Sequence, residues 1–154
     1  MISIVNKLRD NNETIACMES CTGGGIANAI TNVVGASDVI KYSAVTYSNE
    51  YKIKMGIKKE TIEKYTVYSA EVAEEMSYNI ALYADATYGI GITGKINNED
   101  IRNLKGEMNT AFISIYNRKR DKYYTYKVTV QGNNRETSKS YLINYLVKEL
   151  KQII

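Results

Sequence analysis

Thr14-Ile15-Ala16-Cys17-Met18-Glu19-Ser20-Cys21-Thr22-Gly23-Gly24-Gly25-Ile26 is the stretch that decides the fold of this chain. Thr14 to Met18 is a short apolar run suited to a buried strand. Three glycines follow, and then Ile26 to Val33 reads as a helix with a small-residue face, ended by Gly35. A strand that feeds a helix through a glycine turn opens a βαβ unit, and strands paired in parallel need cover on both faces.

The flanking sequence extends that pattern in both directions. Upstream, Ile2, Val5 and Leu8 recur at a helical period over Ile2 to Arg9, closed by Asp10-Asn11-Asn12. Downstream, Tyr42 to Ser48 is a second strand, rich in β-branched and aromatic residues. Short helical pieces follow around Tyr51–Met55 and Lys59–Tyr65. A stronger helix starts after Ser69, a suitable N-cap, with Glu71 and Glu74 in its first turn and Val72, Met76, Ile80 and Tyr83 on one face. Thr87 to Thr93 is a third strand, and Asn97 to Gly106 a polar loop. Ala111 to Tyr116 and Tyr123 to Val130 alternate as a hairpin around Asn117–Asp121. A final amphipathic helix carries Leu142, Ile143, Leu146, Val147 and Leu150 as its stripe. The order predicts an α/β fold, a three-layer α/β/α arrangement with a central mixed β-sheet, in a single domain over residues 1–154.

Composition narrows the chemistry. The 154 residues include no histidine, no proline and no tryptophan. No Ser-His-Asp or Cys-His triad and no imidazole metal site is therefore available, and a general base must be lysine, carboxylate or tyrosine. The net charge of +3 is scattered. The one basic cluster, Arg118, Lys119, Arg120 and Lys122, is interrupted by Asp121 and reads as a solvated hairpin turn, so no nucleic-acid partner is expected. Cys17 and Cys21 have neither redox-motif spacing nor enough companions for structural zinc, and read as packed small hydrophobes; no metal and no cofactor is expected. Few cysteines and no signal-like start predict a cytoplasmic setting, and no apolar run reaches the ~20 residues of a membrane span.

Two segments could carry chemistry. The turn Ser20 to Gly25 lets backbone approach a ligand closely, and the N–H groups of the helix behind it favour an anion. It is neither a Walker loop nor a G-x-S-x-G elbow. Ser20 and Thr22 either cap the helix or face a substrate, and no Ser-x-x-Lys motif supplies a base, which must come from elsewhere. The second segment, Tyr47-Ser48-Asn49-Glu50-Tyr51-Lys52, stands at the end of the second strand. Ligands of open α/β sheets collect beyond the carboxyl ends of strands, so the two segments converge if their strands are neighbours. Lys52 is then either a surface lysine or one whose desolvation makes it a base.

Taken together, Glu19-Ser20-Cys21-Thr22-Gly23-Gly24, Gly35-Ala36-Ser37, Val45-Thr46-Tyr47-Ser48-Asn49-Glu50-Tyr51-Lys52, Gly91-Ile92-Thr93-Gly94 and Gly132-Asn133-Asn134-Arg135 closely resemble the CinA C-terminal domain, the competence/damage-inducible family whose active members are nicotinamide-nucleotide amidases. The resemblance runs through essentially the whole chain and implies a stand-alone domain. It implies hydrolysis of the carboxamide of nicotinamide mononucleotide, with Ser20 as nucleophile, Lys52 as base and Tyr47 bridging or orienting the proton transfer. It places substrate-binding roles on Thr22, Gly23, Gly24, Ser37, Thr93 and Arg135, with the glycine turn giving oxyanion donors and Arg135 facing the substrate's anion. The partner it implies is a small nucleotide, and association of identical chains is expected, the tyrosine-rich hairpin offering a surface. The likeness breaks after Thr93-Gly94, where the family continues Ile-Ala-Gly-Pro and this chain has Lys95-Ile96-Asn97-Asn98-Glu99-Asp100. That leaves three readings: the nucleotide amidase, an amidase for another small amide, or a divergent domain that binds a nucleotide-like ligand or a partner without turnover.

Overall fold

The computed structural model describes residues 1–154. Its helices are α1 (Ile2–Asp10), α2 (Gly25–Thr31), α3 (Asn49–Lys54), α4 (Lys59–Tyr65), α5 (Ala70–Tyr83) and α6 (Arg135–Ile153). Its strands are β1 (Ile15–Glu19), β2 (Ile40–Val45), β3 (Tyr88–Lys95), β4 (Thr110–Asn117) and β5 (Lys122–Thr129). One mixed sheet runs in the order β2-β1-β3-β4-β5. The first three strands are parallel; β3, β4 and β5 pair antiparallel.

The three layers follow from the two-residue period of a strand. Ile15 and Cys17 of β1 turn to one face, where they join Val5 and Leu8 of α1, Ile26 and Ile30 of α2, and Leu142, Leu146 and Leu150 of α6. Ala16 and Met18 turn to the other, against Val72, Met76 and Ile80 of α5. The expected α/β/α architecture with a mixed sheet is present. Tyr83, expected on the buried face of α5, is exposed, and Ala73, Ser77 and Ala81 fill that face with Val72, Met76 and Ile80.

Small residues bring α5 down onto β3. A Cβ at Gly89 would lie 1.9 Å from the Ser77 carbonyl oxygen, and one at Gly91 2.2 Å from that of Ala73. The helix therefore rests directly on the strand backbone. β3 is buried along its whole length, so its carboxyl end leads the following segment into a fixed position. A short 3-10 turn, Ala36–Asp38, which the sequence pattern does not signal, returns the chain to β2. The basic cluster at 118–122 is the exposed β4–β5 turn, with Arg118 paired to Asp85 and Lys119 to Glu13.

Candidate active site

β1, β2 and β3 all point their carboxyl ends toward one cavity of about 760 Å³. Ser20 and Cys21 enter its wall from the end of β1, Val45 and Tyr47–Asn49 from the end of β2, and Gly94–Ile96 with 98–103 from the end of β3. Arg135, the first residue of α6, closes the remaining side. This is the crevice in which open α/β sheets hold ligands, where helices leave neighbouring strands to opposite faces. Its volume is that of a small-molecule pocket, which runs to roughly 300–1,000 Å³.

β1 and β2 are neighbours, as the convergence of the two segments requires, and Ser20 and Lys52 meet in space. Ser48 caps α3, accepting from the Tyr51 amide at 3.3 Å, and this sets the helix so that Lys52 turns inward. Lys52 is only 2% exposed. Its Nζ donates to Ser20 Oγ at 3.0 Å and to the Thr46 carbonyl at 2.7 Å. Both partners are uncharged. Burial without a counter-ion lowers the Lys52 pKa to about 8, against weaker upward pulls from Cys21 and Asp100. A serine hydroxyl beside a lysine amine of lowered pKa is an arrangement that can serve as nucleophile and base. Cys21, beside them, is a buried free thiol pushed up to about 12 by burial, and Cys17 is buried and free as well.

The glycine turn is used differently from the sequence expectation. Glu19, wholly buried at the end of β1, sends its carboxylate under the turn. Oε2 accepts from the Thr22 hydroxyl at 2.7 Å, the Gly24 amide at 3.1 Å and the Ile26 amide at 3.0 Å, and Oε1 accepts from the Ala27 amide at 2.8 Å. The N-terminus of α2, with its positive dipole end, is thus filled by the protein's own anion. The Gly23 and Gly25 amides bond to the Ser20 and Thr22 carbonyls. Gly23 and Gly24 sit at positive φ, 62° and 93°, which lets the chain double back beneath Ser20. Thr22, Gly23 and Gly24 therefore shape the turn. The amides left without a partner residue are those of Cys21 and Thr22.

Several other positions also differ from expectation. Tyr47 is 62% exposed and makes no bond to Ser20 or Lys52; its hydroxyl accepts from Arg135 Nη2 at 3.0 Å. The lysine reaches the serine directly and leaves no gap for a tyrosine to bridge. Ser37 lies in the exposed 3-10 turn ahead of β2, at the amino end of the parallel strands and so at the opposite end of the strands from Ser20. Thr93 is buried within β3 and donates to the Val67 carbonyl at 2.9 Å, outside the cavity lining. Arg135 does face the cavity. Asn134 caps α6 in a reciprocal pair with Thr137, and the Arg135 guanidinium also donates to the Ile96 carbonyl at 2.8 Å.

Sequence reasoning missed the far wall. Lys95, buried at the end of β3, donates to the Leu104 carbonyl at 2.9 Å and pairs with Glu99 at 2.7 Å. Asp100 accepts from Tyr68 Oη at 2.5 Å and Asn103 Nδ2 at 2.8 Å, and Asn103 in turn accepts from Asn49 Nδ2 at 2.8 Å. The available signal is a lysine closing an otherwise apolar strand, followed by two acids in a segment without glycine.

Comparison with known proteins fits this architecture. The family model described as the CinA C-terminal domain matches residues 2–154. A relative in Clostridium kluyveri is 42% identical over 112 residues, 72% of this chain and 27% of its own length. A CinA-like protein of Kosmotoga olearia is 47% identical over 92 residues, 59% of this chain and 22% of its own length. The chain thus spans about a quarter of the length of the curated relatives it matches. Among solved structures, a competence-damaged protein (CinA) superfamily protein from Escherichia coli superposes with a TM-score of 0.90 at 23% identity, covering 99% of this chain and 87% of that one. The competence/damage inducible protein CihA of Agrobacterium tumefaciens gives 0.83 at 21% identity, covering 97% and 92%. These two share the fold. With the family model matched across 2–154, the chain belongs to the CinA C-terminal domain family.

Proposed function

We propose that this chain is a serine amidase that converts nicotinamide mononucleotide to nicotinate mononucleotide and ammonia, with Ser20 as nucleophile and Lys52 as base. The observation that carries the reading is the 3.0 Å contact between Ser20 Oγ and the Nζ of a lysine buried to 2% exposure with only uncharged partners. Such a lysine loses its proton without strong acid–base cost, and the neutral amine then accepts the hydroxyl proton as Oγ attacks the amide carbon. The Cys21 and Thr22 amides, which have no partner residue, stand beside the nucleophile to receive the oxyanion; an amide following the nucleophile is the usual donor there. The protonated Lys52 next gives its proton to the departing amine, and ammonia leaves an acyl ester on Ser20. Water attacks that ester, Lys52 takes up one water proton and returns it to Oγ, and the acid product separates and ionises to the carboxylate, its proton going to the released ammonia.

Arg135 carries a charge toward the cavity with no carboxylate partner, which supports a role in holding a phosphate. Tyr47 orients that guanidinium and so acts on binding. Each step uses a proton carrier already at the site, and the helix terminus behind the glycine turn takes no part, because Glu19 fills it.

The test is ammonia release from nicotinamide mononucleotide, with Ser20→Ala as control. Release by the wild type and not by the variant supports the reading; equal, background release from both defeats it. Hydrolysis of other small amides but not of the nucleotide would keep the chemistry and change the substrate. Tight mononucleotide binding without turnover would make this a ligand-binding member of its family.

A further inference from the structure

The charges on the cavity wall divide into a neutralised pair and an unpaired set. Lys95 and Glu99 neutralise each other. Three others are in no ion pair: the cations Arg102 and Arg135, and the anion Asp100. Asp100 is held firmly for a loop residue. Oδ2 takes the Tyr68 hydroxyl and the Asn103 amide, and Oδ1 takes the Arg102 backbone N–H at 3.0 Å. These donors, the Tyr68 hydroxyl foremost, keep its carboxyl below the usual range, so it is ionised at neutral pH. The Tyr68 ring is fixed by its hydroxyl on Asp100 and by its packing on Gly106, where a Cβ added to the glycine would come within 3.0 Å of the ring. Asp100 and Tyr68 line the same cavity as Ser20.

A carboxylate and an aromatic ring side by side, both lining the cavity that Ser20 enters, are the two elements that bind a delocalised cation. We propose that Asp100 and Tyr68 form a cation-recognising wall, so that this site selects amides carried on a positively charged ring, while Arg135 and Arg102 hold the anionic end of the same molecule. This rests on the amidase reading and specifies its substrate class: the oxidised, pyridinium form of a nicotinamide nucleotide is taken in preference to the neutral dihydropyridine form, although both have the same carboxamide and phosphate. Asp100 is thereby a specificity-determining residue supplied by the segment in which the sequence leaves the family pattern.

Equilibrium binding to the Ser20→Ala protein separates selectivity from chemistry. Oxidised and reduced nicotinamide mononucleotide are titrated calorimetrically into Ser20→Ala, Ser20→Ala/Asp100→Asn and Ser20→Ala/Asp100→Glu. The expected result is about tenfold tighter binding of the oxidised form, the scale of one partly screened charge contact. Asp100→Asn removes most of that ratio and Asp100→Glu restores part of it. A loop that merely loosens weakens both forms alike and leaves the ratio standing; that result overturns the proposal, as does the absence of a preference at the outset, of any rescue by glutamate, or of binding by either form. The wild-type ammonia assay reports separately: turnover with an unmoved ratio leaves the amidase and removes the cation wall, whereas a charge-dependent ratio without turnover does the reverse.

Discussion

The two sides of the cavity are built on different principles. On the β1–β2 side, Glu19, Ser20 and Lys52 are buried, at the end of β1 and inside α3, and their polar groups are satisfied by short bonds to backbone and hydroxyl groups. On the β3 side, residues 96–106 have no regular structure and are held by side chains of their own: Lys95 to Glu99 and Leu104, Asp100 to Tyr68 and Asn103. The first side fixes a reacting geometry; the second can be rewritten without disturbing it. On the proposed amidase reading, such a division lets one fold keep a reaction while it changes what it admits.

The comparison breaks most visibly at Ser20, the proposed nucleophile. Ser20→Ala is expected to lower amide turnover by roughly a thousandfold or more while leaving the thermal midpoint near that of the wild type, because a 7%-exposed hydroxyl is lost and little else. Ammonia assay and thermal melt check the two halves of that statement. Lys52→Met is expected to cost about a hundredfold or more in turnover yet to stabilise the fold near pH 7. The sign follows from the pKa of about 8 against an ordinary 10.5: the unfolded chain binds more protons between those values, so the folded state is penalised fully below about pH 8, and the penalty fades as pH rises to 10.5. A gain of roughly 1–3 kcal/mol at neutral pH that shrinks toward pH 10.5 is the expected result of denaturation at several pH values.

Glu19→Gln moves the test from reaction to support. The amide that replaces one carboxylate oxygen must turn a donor toward backbone N–H groups, and a loss of about 2–4 kcal/mol is expected from chemical denaturation, with turnover falling as the turn beneath Ser20 loosens. Glu99→Gln is the smallest change. Its carboxylate is mostly exposed, so a loss under about 1 kcal/mol is expected even though its partner Lys95 is buried. If Glu99→Gln proved as destabilising as Glu19→Gln, the two sides would not be built differently.

How much of this can be read from sequence also divides along the cavity. The layers are legible because burial imposes a period: two along β1, near four along α6. Ser20 and Lys52, 32 residues apart, are legible as candidates because both follow strand ends, and the family resemblance joins them. Glu19 stands inside the same motif but its task is hidden, since nothing in a glutamate's neighbours tells that its carboxylate will fold back under the next turn. Tyr47 and Ser37 mislead for a related reason: exposure and the end of the sheet a residue reaches are decided by tertiary placement, not by the residue type. Lys95 and Asp100 are visible only as departures from a pattern, and their partners, Leu104 and Tyr68, are fixed by how an irregular segment closes on itself.

The Ser20–Lys52 couple is tested most directly by the pH dependence of kcat/KM for nicotinamide mononucleotide between about pH 6 and 10. Lys52 must be neutral to take the serine proton, so the rate is expected to rise about tenfold per pH unit on the acid side and to level off above a single ionisation near 8. A profile that is flat across this range, or that falls as pH rises through 8, would contradict a lysine base at this site.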